Sequence, residues 1–376
     1  MMRVGILTLV GRKFNYNLGA ILQAYALQKT LKDLEIDASL IDFTPSEPSL
    51  LKIVLNKLKQ KGFKYIVRRA LLKLKLLNSV LTFDRKLEAK REEKRSQFIN
   101  THFNFTKHFK NLGELSNSEL EFDAYIVGSD IVWHPGMPDL EAYLLGFVKS
   151  GRKISYAASV AERIPSNLCP LYRKHLLNFD SISVREKTSA KFLSECLGFE
   201  PEIVVDPTML LTAKDWKKLS KKPENFAEKP YILVYDLYRS NEIVPRIIKI
   251  AKKNNWEIVC YNYRVAKKYK LTSFYDFDPF EFLWLIQNAE SVITTSFHGT
   301  VFSVLFEKPF YSVDPNFSSF RITDFLEMLS LDSRFVQDPA KISSLSFEDV
   351  DFSEAKDKIK REREHSLQFL KEALGV

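Results

Sequence analysis

The sequence predicts two α/β domains, each built on a parallel sheet, with a cleft between them. Three observations carry this. Short runs rich in β-branched residues alternate with longer amphipathic stretches almost throughout, the pattern of βαβ units whose helices cover both faces of a parallel sheet. The alternation breaks after Asp206-Pro207-Thr208, where a lysine-rich stretch over 215–229 reads as a linker, and it then resumes. The chain has 376 residues, 45% of them hydrophobic, enough for two cores of ordinary size and too apolar for disorder.

Taken in order, Val4–Val10 reads as the first strand, and Leu18–Leu34 as a helix with Ile21, Leu22, Tyr25, Ala26 and Leu31 on one face. Ala38–Phe43 is the second strand, and 49–79 and 84–101 read as helices. Ala124–Val127, Ile154–Ala158, Ser181–Val184 and Ile203–Val205 continue the strand series. These elements make a first domain over 1–214, with a basic helical insertion at 49–101. A second series runs over 230–350, with strands at Tyr231–Asp236, Glu257–Tyr261, Ser291–Thr295 and Pro309–Val313. Its helices fall around Val244–Lys253, at Pro279–Asn288 and from near His298. A charged helix over Phe352–Leu374, within 351–376, reads as a surface helix that returns to the first domain.

No apolar run approaches the ~18 to 20 residues that span a bilayer, and the first strand meets Gly11-Arg12-Lys13 where a signal peptide would have small residues. Cys169, Cys196 and Cys260 are widely spaced, match no metal-ligand pattern and are too few for a disulfide framework. A reducing cytoplasm is therefore expected. The net charge is +9, and the acid-free interval between Glu47 and Asp84 alone holds nine bases, from Lys52 to Lys75. The rest of the chain is near neutral, which argues against a nucleic-acid partner. Within 51–77 the bases interleave with apolar residues. Such a segment either packs as a solvated helix on its own domain or meets an anionic membrane or lipid-diphosphate carrier at the inner face of the cytoplasmic membrane.

Three segments place candidate site residues at strand ends. Val292-Ile293-Thr294-Thr295 leads into Ser296-Phe297-His298-Gly299-Thr300, setting His298 between a sheet edge and a helix start, where anions bind in open α/β folds. Ala124–Val127 leads into Gly128-Ser129-Asp130. A carboxylate at that edge either takes a proton from a substrate hydroxyl or caps the next turn. Ser181–Val184 leads into Arg185-Glu186, where a guanidinium either grips a carboxylate or phosphate or pairs with its neighbour on the surface. The turn Asn15-Tyr16-Asn17-Leu18-Gly19 follows the first strand. It suits a phosphate or sugar cradle, although Asn17 is equally suited to capping the helix.

These segments, with Ile154-Ser155-Tyr156-Ala157-Ala158-Ser159 and Val205-Asp206-Pro207-Thr208, resemble the polysaccharide pyruvyl transferase family over most of the chain. The resemblance implies a GT-B-like fold, two Rossmann-type domains facing across a cleft. It also implies transfer of an enolpyruvyl-derived group from phosphoenolpyruvate to a sugar, giving a pyruvate ketal in surface or exopolysaccharide synthesis. By the matching motifs, Arg185 and His298 would surround phosphoenolpyruvate and Asp130 would lie near the acceptor. Asn17, Gly19, Gly128, Ser129, Ser296, Gly299 and Thr300 would line the substrates. No metal or cofactor is called for beyond phosphoenolpyruvate as donor. Ile131 stands where relatives often carry Gln, and Gly19-Ala20 where some carry Gly-Asp, so the acceptor sugar stays open. The alternative is a nucleotide-sugar glycosyltransferase on the same scaffold. A non-enzymatic scaffold of a polysaccharide assembly is a third reading.

Overall fold

The computed structural model describes residues 1–12, 17–46, 85–224, 226–227, 229–237, 240–314 and 320–376. The basic segment 51–77, with the helix expected over 49–79, lies outside the described residues, as do Asn15 and Tyr16.

The first half runs β1 (Arg3–Leu7), α1 (Leu18–Asp33), β2 (Asp37–Leu40), α2 (Arg85–His102), α3 (Leu112–Ser116), β3 (Ala124–Val127), α4 (Leu140–Tyr143), β4 (Arg152–Ala158), α5 (Cys169–Leu176), β5 (Ser181–Val184), α6 (Lys187–Leu197) and β6 (Glu202–Ile203). A short helix, α7 (Ala213–Leu219), follows. The second half runs β7 (Tyr231–Tyr235), α8 (Ser240–Lys253), β8 (Glu257–Cys260), α9 (Tyr263–Tyr269), β9 (Thr272–Ser273), α10 (Pro279–Asn288), β10 (Ser291–Thr294), α11 (Phe297–Leu305), β11 (Phe310–Val313), α12 (Phe320–Met328), β12 (Phe335–Val336) and α13 (Ser353–Leu374).

The helices start where the local chemistry satisfies their free N–H groups. Asp278 caps α10 with Pro279 next to it and Glu281 closing the capping box. Thr212 and Asp215 form the same box on α7, so 215–219, read from sequence as linker, is helical. Asp and Thr at those spacings outweigh the lysines that suggested irregular chain. The two short helices α5 and α6 pack against each other, and α6 packs on β5 and β6.

Each half holds a six-stranded, all-parallel sheet, ordered β2-β1-β3-β4-β5-β6 and β12-β11-β10-β7-β8-β9. Strands β3, β7, β10 and β11 are buried at every position, as strands covered on both faces must be. Strand order reverses between β1 and β3 in one sheet and between β7 and β10 in the other. Ligands of open α/β sheets bind beyond the strand C-termini at such reversals. Gly128-Ser129-Asp130 extends from one reversal and Ser296-Phe297-His298 from the other.

The two halves are docked together. One apolar cluster runs from Val4 through Trp216 to Leu374 and includes residues of both. Helix α2 crosses to the second half through ion pairs from Lys90 to Asp276 at 2.7 Å and from Lys94 to Glu281 at 2.8 Å. The N-terminal part of α13 touches the second half, with Lys356 3.2 Å from Glu307. Its C-terminal part lies on the first, where Ser366 accepts from Val205 N at 2.9 Å and Arg152 donates to the Ala373 carbonyl at 3.0 Å. No helix among the described residues is long and apolar enough to cross a membrane.

Cys169 and Cys196 are joined as a disulfide, with Cα atoms 5.0 Å apart, and Cys260 is a buried free thiol. Three cysteines remain too few for a disulfide framework, but one pair does form, which the expected reducing cytoplasm does not favour. The two are 27 residues apart in the chain, and only the packing of α5 against α6 brings them together.

Candidate active site

The site is organised around a buried carboxylate that the sequence reading had not singled out. Asp206 is 1% exposed and stands at the start of a short turn, Pro207–Met209, beyond β6. Its Oδ1 accepts from Thr208 N at 3.0 Å and from the Thr208 hydroxyl at 2.7 Å. Its Oδ2 accepts from Arg185 Nη1 at 2.7 Å and from the Ser129 hydroxyl at 3.3 Å. His298 Nε2 lies 3.5 Å from the same Oδ2, at the outer limit of a hydrogen bond. Arg185 and Ser129 come from the first half and His298 from the second, so one oxygen atom is approached from both sides of the cleft.

Arg185 owes its place to the abrupt turn from β5 into α6. Its Nε donates to Glu186 at 2.6 Å, its Nη1 is taken by Asp206, and its guanidinium carbon lies 4.1 Å over the Phe297 ring. Nη2 is buried without a hydrogen-bond partner. The pair with Glu186 is thus internal, with both side chains 2% exposed, and not the surface pair that sequence left open. Burial opposes the charge of Arg185, but Glu186, Asp206 and Asp130 outweigh it and raise its pKa. Burial likewise works against the charge of Asp206. His298 and Arg185 overcome it and hold that carboxyl far below the usual carboxylate range.

His298 is 5% exposed and sits in the first turn of α11, which Ser296 caps by accepting from Gly299 N. Its ring is pressed by Gly19 at the start of α1. A Cβ on Gly19 would stand 2.2 Å from His298 Nδ1, so only glycine lets the two halves close here. His298 Nε2 is buried and lacks a hydrogen-bond partner. Asp130 is close enough to Arg185 to act on its charge, has a positive φ of 74°, and accepts from Ile131 N at 2.9 Å through Oδ1. It therefore forms a turn cap in this structure.

The remaining candidates have the following protein partners. Asn17 caps α1, accepting from Gly19 N at 2.9 Å. Gly128, at φ 120°, lies so near the Tyr156 carbonyl that a Cβ would be 2.2 Å from it. Gly299 packs on Thr294 and Tyr235. Thr300 is fully buried, its hydroxyl 2.7 Å from that of Ser312. Gln23 was not foreseen. It accepts from Ser129 N at 3.2 Å and donates to the Thr8 hydroxyl at 2.9 Å, fixing the Ser129 turn. Asp206 has the same local signature as Asp130, an acid directly after an apolar strand-like run, with Pro207 breaking the pattern behind it.

A cavity of about 380 Å³ opens beside this cluster. Arg185 and Asp206 lie in its wall with Phe297, Phe325 and Arg321, while His298 and Asp130 are not among its lining residues.

A sequence model of the polysaccharide pyruvyl transferase family matches residues 17–316. The chain belongs to this family. The match takes in Asp130, Arg185, Asp206 and His298 alike, so the whole buried cluster falls within the polysaccharide pyruvyl transferase region. No curated protein matches the chain. Among solved structures, a UDP-GlcNAc 2-epimerase from Methanocaldococcus jannaschii is 13% identical, with a TM-score of 0.50, over 97% of this chain and 99% of that one. A putative UDP-N-acetylglucosamine 2-epimerase from Listeria monocytogenes is 12% identical, with a TM-score of 0.51, over 98% and 91%. The trehalose-6-phosphate phosphatase N-terminal domain from Candida albicans is 12% identical, with a TM-score of 0.52, over 100% and 97%. At such identities the likeness concerns the fold, and this pyruvyl transferase family member has the GT-B-like architecture expected of it.

Proposed function

We propose that the chain transfers a pyruvyl group from phosphoenolpyruvate to a sugar diol, making a pyruvate ketal during surface or exopolysaccharide synthesis. The observation that carries this reading is the convergence of Arg185 and His298, from opposite halves, on one buried oxygen within the family-matched region. That oxygen belongs to Asp206, which already fills the position; Arg185 Nη2 and His298 Nε2, both buried without a hydrogen-bond partner, are the donors left to face a carboxylate or phosphate group.

The reaction asks three things of the protein. The methylene carbon of phosphoenolpyruvate gains a proton, which leaves C2 electrophilic. A sugar hydroxyl attacks C2 and loses its proton. A second hydroxyl of the same sugar then forms the other C–O bond as the C2–O bond to phosphate breaks, releasing inorganic phosphate. His298 is the proposed proton donor, Arg185 the anion clamp and Asp130 the base or acceptor-binding group. Asp206 holds Arg185 in place and faces His298.

The reading is tested by phosphate release from phosphoenolpyruvate against a panel of lipid-linked galactose, mannose and amino-sugar acceptors. The product should gain one pyruvate less one water by mass spectrometry. Release of a nucleotide from a nucleotide sugar, with no use of phosphoenolpyruvate, would replace it with glycosyl transfer.

For Asp130 the expected result is a split. Asp130→Asn should lower turnover by roughly 10² to 10⁴-fold, the range of general-base catalysis, with little change in phosphoenolpyruvate binding. Near-normal turnover would leave Asp130 as the turn cap the geometry describes.

The acceptor in this proposal is presented at an anionic membrane face, with residues 51–77 as the contact. Each Lys or Arg near such a surface contributes about 1 kcal/mol, and salt screens it. Replacing Lys57, Lys61, Lys64 and Arg68 by Gln should therefore weaken co-sedimentation with anionic liposomes and flatten its salt dependence. Wild-type protein that ignores such liposomes at low salt would rule the contact out.

A further inference from the structure

Arg185 is enclosed by acids, and this sets a requirement on any anion that binds beside it. One guanidinium is acted on by Glu186, Asp206 and Asp130, so the cluster carries no surplus positive charge even if His298 is protonated. A phosphate or carboxylate ligand needs a further cation. Arg321 on α12 supplies one from the second half. It lines the same cavity as Arg185, is only partly exposed, and has no hydrogen bond or ion pair among the described residues.

The acids of the cavity wall are otherwise engaged or outside. Glu186 accepts from Arg185 and, through Oε2, from the Ser189 hydroxyl at 2.7 Å. Asp206 is filled as described above. Asp324 accepts from Thr188 N at 2.8 Å and from the Thr188 hydroxyl at 3.1 Å. Glu327 is exposed, as is Lys187 opposite in charge, and solvent screens both. Glu362 is half-buried and also lines the cavity. Two guanidinium groups with unused N–H donors, Arg185 through Nη2 and Arg321, thus share a cavity with Phe297 and Phe325 on its wall. Arg185 Nη2 is a buried donor of the kind rarely left unmade, while Arg321 is half-buried.

We infer that Arg185 Nη2 and Arg321 form a two-arginine subsite for a small oxyanion, a phosphate or carboxylate carried on a short carbon skeleton that rests on the Phe297 and Phe325 rings. Under the proposed function the occupant is phosphoenolpyruvate, and the inference rests on that reading only for the ligand's name.

The test is direct titration of full-length wild type, Arg321→Gln and Arg321→Lys with inorganic phosphate and, separately, with phosphoenolpyruvate, read by calorimetry. Arg321→Gln should weaken both by about tenfold or more, the loss expected for a charge-assisted hydrogen bond. Arg321→Lys should recover part of the loss, and the unliganded unfolding midpoint should not move. Wild-type affinity in Arg321→Gln would overturn the subsite, with the donor reading intact if phosphoenolpyruvate still binds. Phosphate binding that depends on Arg321, without binding of phosphoenolpyruvate, would keep the subsite and remove the donor reading. Wild type that binds neither anion would overturn both.

Discussion

Asp206→Asn should destabilise the protein by about 3–5 kcal/mol, the usual cost of stripping one partner from a buried ion pair. The reason lies in what Asp206 leaves behind. Arg185 would keep its bond to Glu186 but lose the carboxylate on Nη1, inside a cluster where its side chain is 2% exposed. The amide could still accept from Thr208, so the Pro207–Met209 turn should survive. Urea denaturation measures the loss. A second variant, Arg185→Met, should also be destabilised, and the double variant should lose less than the sum of the two, because each single change strands the other's charge. Additive losses would show that the pair is not coupled. The pH dependence has a definite sign. Asp206 is held below its unfolded-state pKa, so its contribution is complete above the ordinary carboxylate range. It falls away as pH drops below that range, and Asp206→Asn should flatten the stability curve on the acid side.

The largest functional effect is expected at His298. His298→Ala should reduce turnover by roughly 10² to 10⁴-fold if the imidazole delivers the proton to the methylene carbon. Its Nε2 lies 3.5 Å from Asp206 Oδ2 without a formed hydrogen bond, so its loss should cost less stability than the loss of Asp206, which also strands Arg185. Activity and stability should therefore separate at these two neighbouring positions. A His298→Ala enzyme that turns over normally, with a lowered denaturation midpoint, would return the residue to a packing role against Gly19. His298→Gln serves as a partner variant that keeps the volume while removing the proton-transfer group.

Strand–helix order, the parallel sheets and the placement of Arg185 and His298 at strand ends were legible because each rests on local pattern, a β-branched run followed by a turn and a helix start. What sequence could not give was pairing in space. Asp206 and His298 are far apart in the chain, and nothing local says that they share an oxygen. Gly19 read as part of a ligand cradle, whereas its role in the structure is to admit the His298 ring, a contact between halves. Asn17 reads as a ligand contact or a helix cap and Ser296 as a ligand contact, and in the structure both are N-caps. The same small polar side chains serve a helix end or a substrate, and only the surrounding coordinates distinguish the two uses. Cys169 and Cys196 follow the same logic, remote in the chain and adjacent once α5 lies on α6.

Helix α13 has a mechanical consequence. The chain passes between the halves after the first sheet and passes back along α13, whose two ends rest on different halves. A molecule tied by two such tethers cannot swing its halves freely, as one joined by a lone strap can. Any opening of the halves would draw Gly19 off His298 and Asp324 off Thr188 together.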